Sequence, residues 1–240
     1  MIFHIFYSTS STLYVPMFIL LILIFLAYLI GSFSLSNIIG KKKGIDLKNE
    51  GSKNLGTSNT IALIGVKEGI LVCLSDGFKA TIAMLLPLFL CYYSDALFLS
   101  PELLNSATVS CNNLDLLAMF AAASIIGHIF PIHLNFDGGK GFATYVGTIL
   151  TLSLLYPSLL LIVIAALIFA FITDYIVMAT FAVIALTPLY FIFIVLNPTA
   201  AVGYTIVSII MLVKHIDNIK RIKNGTEMRI KAAFKKEYRK

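Results

Sequence analysis

Charge is what this chain has least of. Asp, Glu, Lys and Arg make up 12% of its 240 residues, against 59% hydrophobic residues, a balance that excludes an ordinary soluble domain. Tryptophan is absent, and cysteine is limited to Cys73, Cys91 and Cys111. An odd number without metal-ligand spacing argues against both a disulfide framework and a zinc motif. Cys73 and Cys91 read as packing residues and Cys111 as outward-facing; a Cys91–Cys111 bridge is conceivable on position alone. The four histidines form no HExxH-type cluster, so no metal and no cofactor is expected. The first apolar run lacks a basic region ahead of it and is too long for a signal peptide. The short alternating strands of an outer-membrane barrel are missing as well.

What is present is a series of apolar runs, several of them reaching the ~20 residues needed to cross a bilayer. The expected fold is all-α, a polytopic transmembrane helical bundle of about seven spans. Residues 1–14 form a polar N-terminal extension, 15–227 the membrane domain, and 228–240 a basic tail lying on anionic lipid and partly disordered. The spans are expected near 15–39, 69–92, 115–130, 142–156, 157–173, 175–196 and 199–213. The run 141–172 is too long for one upright helix, and Pro157 sits near its middle. If that run crossed once, the basic tail would lie opposite the lysine-rich loop at 41–53, against the positive-inside rule. Division at Pro157 places the N-terminus outside and the tail inside. The net charge of +6 then reflects one-sided placement of Lys and Arg, and no nucleic-acid partner is expected.

Three polar stretches meet on the cytoplasmic face in this arrangement. The stretch 127–144 reads GHIFPIHLNFDGGKGFAT, with Gly138, Gly139 and Gly141 around Lys140. Bare backbone there lets successive N–H groups converge on an oxyanion while Lys140 adds a mobile cation. A flexible loop with one lysine at the headgroup level explains the same residues. It is no Walker loop, since Leu134 occupies the first glycine position and Gly141 follows the lysine. The stretch 51–60, GSKNLGTSNT, offers backbone N–H groups beside Ser52, Asn54, Thr57, Ser58, Asn59 and Thr60, which suit either helix capping or a bound phosphate. The third stretch places His215, Asn218 and Arg221 three residues apart on one helix face, with Glu227 beyond an Asn224–Gly225 turn. Cations at a helix end also suit its dipole and anionic lipid. Within the second span Asp76 and Lys79, at i and i+3, can neutralise one another and lock packing. His128 stands at a helix end, where an interfacial hydrogen-bonded role competes with that of a base.

Taken together these stretches resemble the integral-membrane acyl-phosphate:glycerol-3-phosphate acyltransferases of bacteria. The family's GSGN-x-GATN appears as residues 51–59, its GHxFPxxxxFxGGKGxAT as 127–144 with every fixed position kept, and its HxxNIKRxxxGxE as 215–227. Gly31-Ser32, Gly44-Ile45-Asp46 and the Asp76/Lys79 pair also look similar. Four positions depart from the pattern. Lys53 replaces a glycine, Ala62 stands where the family has an arginine, and Asp174 and Val177 replace the Arg and Ser of an R-Y-x-S motif.

The resemblance implies a multi-pass cell-membrane enzyme of phospholipid biosynthesis with its site on the cytoplasmic face. It would transfer a fatty acyl group from acyl phosphate to the 1-hydroxyl of glycerol 3-phosphate, giving lysophosphatidic acid and phosphate. Its partners would be those two substrates and membrane lipids. Lys140, Ser52, His128 and His215 are the implied catalytic positions, with the two histidines as candidate bases. Lys53, Asn54, Gly56, Thr57, Ser58, Asn59, Gly138, Gly139, Gly141, Asn218, Arg221 and Glu227 are the implied substrate contacts. The HxxxxD motif of acyl-CoA-dependent enzymes is absent. A small transporter of organic phosphates is the competing reading, weakened by the lack of an internal repeat or a broken helix pair.

Overall fold

A computed structural model of the protein describes residues 13–97, 108–111 and 113–234. The expected helical membrane bundle is what it contains, with one small addition. Residues Leu13–Pro16 form a strand, β1, paired antiparallel with β2, Thr108–Cys111, in the register Leu13↔Cys111 to Pro16↔Thr108. The helices are α1 Met17–Ser32, α2 Leu35–Lys43, α3 Thr57–Leu63, α4 Val66–Leu97, α5 Asn113–Ile129, α6 Phe142–Leu152, α7 Leu159–Thr173, α8 Ile176–Phe193, α9 Pro198–Lys214, α10 Ile216–Lys223 and α11 Ile230–Phe234. Leu13 and Tyr14 of the expected extension thus enter a strand, while residues 1–12 and the tail end 235–240 lie outside the described residues. The side chains of Cys91 and Cys111 also lie outside them, and Cys73 is an exposed free thiol.

Four segments among the described residues are long and apolar enough to span a membrane: Phe18–Lys43, Val66–Pro87, Leu114–Leu134 and Ile176–Phe193. A fifth is α9 with α10, bent by 45° at their junction. The run that sequence divides at Pro157 is indeed broken, with α6 of 11 residues ending at Leu152 and α7 of 15 starting at Leu159. At 1.5 Å per residue these reach only ~16 and ~22 Å, short of an upright crossing of a ~30 Å hydrocarbon layer. Large side chains such as Phe18, Phe78, Leu161 and Ile172 are exposed around the bundle, as lipid-facing residues are.

Where helices must approach closely, glycine is present. A Cβ at Gly31 would run into the Ser124 carbonyl, and one at Gly127 into the Tyr28 carbonyl, so α1 and α5 touch through their backbones. A Cβ at Gly147 would likewise stand 2.8 Å from the Gly77 Cα, which brings α6 onto α4. Small residues serve this purpose in membranes, where helices associate by backbone proximity and packing. Buried hydroxyls pair across the core: Tyr204 Oη donates to Thr148 Oγ1 at 2.9 Å, and Tyr145 meets Ser208 at 3.1 Å. The α1–α5 contact fixes the end of α5, where Tyr28 Oη donates to the Phe130 carbonyl at 2.6 Å. That end leads directly into the glycine-rich turn.

Candidate active site

The turn after α5 is held from beneath by buried charge. Asp76, Lys79 and His128 are 3%, 4% and 7% exposed. The Lys79 ammonium has three N–H donors and three acceptors: Asp76 Oδ1 at 2.9 Å, His128 Nδ1 at 2.7 Å and the Phe33 carbonyl at 2.8 Å. A buried cation with every donor matched avoids the desolvation cost of an unpaired one. The Asp76–Lys79 pair is therefore the packing lock anticipated from the i, i+3 spacing. His128, 49 residues away from Lys79, joins it for a reason invisible in sequence. An ammonium can only donate, so His128 accepts at Nδ1 and its ring proton lies on Nε2.

That ring supports the glycine turn. A Cβ on Gly139 would meet the His128 imidazole and come within 2.8 Å of the Leu55 carbonyl oxygen. The Gly139 and Gly138 N–H groups donate to the carbonyls of His128 (3.0 Å) and Ile129 (3.1 Å). Gly141 starts α6 with φ 92°, a left-handed conformation that favours glycine. The first and second polar stretches therefore meet at Leu55 and Gly139, where no side chain would fit between them.

Lys140 points the other way, to the third stretch. Its ammonium donates to Asn218 Oδ1. The Asn218 Nδ2 donates to Glu227 Oε1 at 2.7 Å, and Arg221 Nε donates to Glu227 Oε2 at 2.7 Å. The chain Lys140–Asn218–Glu227–Arg221 thus runs through one amide and one carboxylate, with Asn218 and Glu227 buried and the cations half-buried. Burial, then the neighbouring Arg221 cation, pushes the Lys140 pKa down to about 8, with Glu227 opposing. His215 is buried beside it. Its Nδ1 lies 2.7 Å from the Met211 carbonyl, which can only accept, so the proton is on Nδ1 and Nε2 is a bare acceptor. Burial lowers the His215 pKa to about 4, with the Lys140 and Arg221 cations adding to it against the Met211 carbonyl. The ring is neutral near pH 7.

The first stretch divides its residues between scaffold and surface. Asn59, 1% exposed, holds the loop together: its Oδ1 accepts from the Ser52 N–H at 2.8 Å, and its Nδ2 donates to the Leu47 and Glu50 carbonyls at 3.0 and 3.1 Å. A Cβ at Gly56 would stand 2.8 Å from Asn54 Nδ2, so the Asn54 side chain folds over the start of α3. Gly56 caps that helix without a side-chain hydrogen bond, which leaves its first N–H groups, those of Thr57 and Ser58, open. Ser52 and Lys53 are exposed, and no hydrogen bond among the described residues joins them to Lys140.

The four departures also have structural settings. Lys53 has φ 52°, the left-handed region in which a glycine is easier. Ala62 is half-buried on α3, and Val177 is buried in α8. Asp174, φ 62°, ends α7 and accepts the Ile230 and Lys231 N–H groups, both at 3.0 Å, while Arg229 lies over the Tyr175 ring. The Asp174–Tyr175 turn therefore fastens the segment that follows Glu227. Lys48 was not singled out in sequence. It clasps the loops from above, donating to the Leu134 carbonyl at 3.0 Å and pairing with Asp137 at 3.4 Å.

Apolar helices whose ends bring glycine turns, amides and a surplus of cations together define an integral-membrane protein with a cationic polar site where its spans terminate. The glycerol-3-phosphate acyltransferase family model matches residues 21–225, and the chain belongs to that family. It is 35% identical over 213 residues to the glycerol-3-phosphate acyltransferase of Bacillus velezensis, covering 88% of this chain and 97% of the relative. It is 34% identical to that of Bacillus subtilis over 88% and 97%. Among solved structures it is similar to PlsY (YgiH), an integral membrane glycerol 3-phosphate acyltransferase, in its glycerol 3-phosphate form. The TM-score is 0.70 at 26% identity, covering 88% of this chain and 95% of that one. A second structure of that protein, the lysophosphatidic acid form, gives a TM-score of 0.67. Family membership fixes the enzyme class as acyltransferase and decides against the transporter.

Proposed function

We propose that the protein transfers a fatty acyl group from acyl phosphate to the 1-hydroxyl of glycerol 3-phosphate, giving 1-acylglycerol 3-phosphate and phosphate, the first acylation of phospholipid synthesis. The observation that carries this reading is the Lys140 ammonium, which joins the second polar stretch to the third through Asn218, one residue from the Gly139–Leu55 contact with the first. Lys140 and Arg221 outnumber the one carboxylate in the chain, Glu227, so an anion completes the balance. The acyl-phosphate group sits on Lys140 and Asn218 with the open N–H groups at the start of α3, beside His215, and Ser52 and Lys53 face the acceptor. A half-buried cation placed where charge develops on the departing phosphate stabilises the transition state without reorganisation.

In the transfer the acceptor hydroxyl oxygen bonds to the acyl carbon, and the bond from that carbon to the phosphate oxygen breaks. Phosphate leaves with the electron pair. His215 Nε2 orients the hydroxyl by accepting its hydrogen bond, but a group with a pKa of about 4 is too weak a base to hold the proton at neutral pH. The proton passes to an oxygen of the departing phosphate. An apolar groove of about 690 Å³ between α8 and α9 supports a fatty acyl donor. Phe181 and Ile219 at its upper end adjoin His215 and Asn218, with the Phe181 and His215 rings 6.1 Å apart, and Ile184, Leu189 and Ile209 continue it along the helices.

Purified protein in detergent should release phosphate from palmitoyl phosphate only when glycerol 3-phosphate is present; release that ignores the acceptor would sink the reading. The orientation belongs to the same proposal: seven crossings, the N-terminus outside and the site facing the cytoplasm. A cysteine placed at Lys48 and a tag at Lys240 should both be labelled from the cytoplasmic side alone. Labelling from opposite sides would mean that α6 and α7 do not form two crossings.

A further inference from the structure

A second cationic cleft lies between α2, the loop after it and the 3-10 turn Ile132–Leu134, on the far side of the Lys48 clasp. Its volume is about 460 Å³, and Asn37, Lys41, Asp46, Lys48, His133 and Asn135 line it. Two ammonium groups and an imidazole face one carboxylate. That carboxylate is already engaged within its own loop, accepting from the Lys48 N–H at 3.0 Å and the Asn49 amide at 2.6 Å. Lys48 is partly used by the Leu134 carbonyl and Asp137, whereas Lys41 makes no ion pair among the described residues. The cleft is therefore an anion receptor by charge.

Its depth in the fold says which anion. The spans Phe18–Lys43 and Leu114–Leu134 both end at this cleft, so it opens at the boundary between hydrocarbon and headgroups. Ile38, Ile132 and Phe136, each about half exposed, flank the cationic lining. A small phosphate dissolved in water gains nothing from such an apolar rim. A lipid does, because its chains lie against the rim while its phosphate meets the cations. We propose that this cleft binds the headgroup phosphate of an anionic membrane phospholipid, at a site separate from the Lys140 cluster.

Full-length protein in detergent, titrated with phosphatidylglycerol or phosphatidylcholine and read by native mass spectrometry, tests this. Wild-type protein should retain one phosphatidylglycerol in preference to phosphatidylcholine. The double substitution Lys41→Gln/His133→Gln should weaken retention about tenfold, with melting temperature as the check on folding. Lys140→Ala should bind the lipid as wild type does. Equal retention of both lipids, unchanged affinity in a folded cleft variant, or loss of the lipid in Lys140→Ala instead would each overturn the proposal. Displacement of the lipid by millimolar inorganic phosphate would assign the cleft to a free phosphate and overturn it as well.

Discussion

Two clusters in this protein are built from nearly the same side chains and end up as opposites. Asp76, Lys79 and His128 combine a carboxylate, an ammonium and an imidazole; so do Glu227, Lys140 and His215, with Arg221 and Asn218 added. In the first, one cation faces one anion, a ring nitrogen and a carbonyl, every ammonium donor is used, and all three side chains are buried. In the second, two cations face one carboxylate, the ammonium remains half-exposed, and its pKa falls to about 8. A lysine whose donors are all matched has none left for a phosphate. An open one with surplus charge does. Residue type alone does not separate a support from a site; the count of unmatched donors does.

The comparison can be broken most severely at Lys79. Lys79→Met should leave the Asp76 carboxylate buried without its cation and cost about 3–5 kcal/mol of stability. Melting temperature would fall, and activity should track the folded fraction. A folded, stable variant with lost turnover would place the lower cluster in the chemistry and erase the distinction drawn above.

The departures in the first stretch offer a smaller effect. A phosphate contact from an arginine is worth about 1.5–3 kcal/mol, so Ala62→Arg should lower the half-saturating glycerol 3-phosphate concentration roughly ten- to hundredfold. Lys53→Gly should raise it by less, since an exposed, flexible ammonium substitutes incompletely for a guanidinium fork. Acceptor titrations at saturating palmitoyl phosphate measure both. The same glycine relieves a left-handed backbone at φ 52°, so the variant should melt slightly higher while binding acceptor less well. Unchanged acceptor dependence in both variants would remove Lys53 from the acceptor's surroundings.

The mildest probe is pH. In the proposed role Lys140 holds phosphate as its cation, the form that predominates below about 8. As pH rises through that value the cation is lost, so kcat/KM should fall by about tenfold per unit above it. Bound phosphate favours the cation, so kcat should decline at a higher pH than kcat/KM. Lys140→Arg should abolish the alkaline fall within the accessible range, because a guanidinium stays charged. A fall that persists in that variant would assign the titration to another group.

Sequence carried much of this arrangement. Hydrophobic runs of bilayer length gave the helical membrane bundle, and Pro157 marked the break between α6 and α7, because both follow from local composition. Placing every basic loop on one side leads to an expected convergence of the three stretches, and the structure joins the second to each of the others. What sequence withheld is long-range pairing. Nothing around Asp76 and Lys79 announces that His128 will accept from that lysine, or that its ring will lie under Gly139. Asn59 looked like one of several phosphate-facing amides, yet its three side-chain hydrogen bonds are spent on the loop's own backbone, a distinction that depends on where Leu47 and Glu50 return. The β1–β2 ribbon joins segments almost a hundred residues apart, which no local pattern encodes.

The central claim is that Lys140, not the buried lysine beneath it, carries phosphate through the transfer. The direct measurement is kcat/KM for palmitoyl phosphate in Lys140→Ala, with the melting temperature recorded on the same preparation. Removing the charge should cost ~3 kcal/mol of transition-state stabilisation, roughly a hundredfold in rate, while leaving the melting temperature near that of wild type. A folded Lys140→Ala protein that transfers acyl groups at close to the wild-type rate would contradict the account.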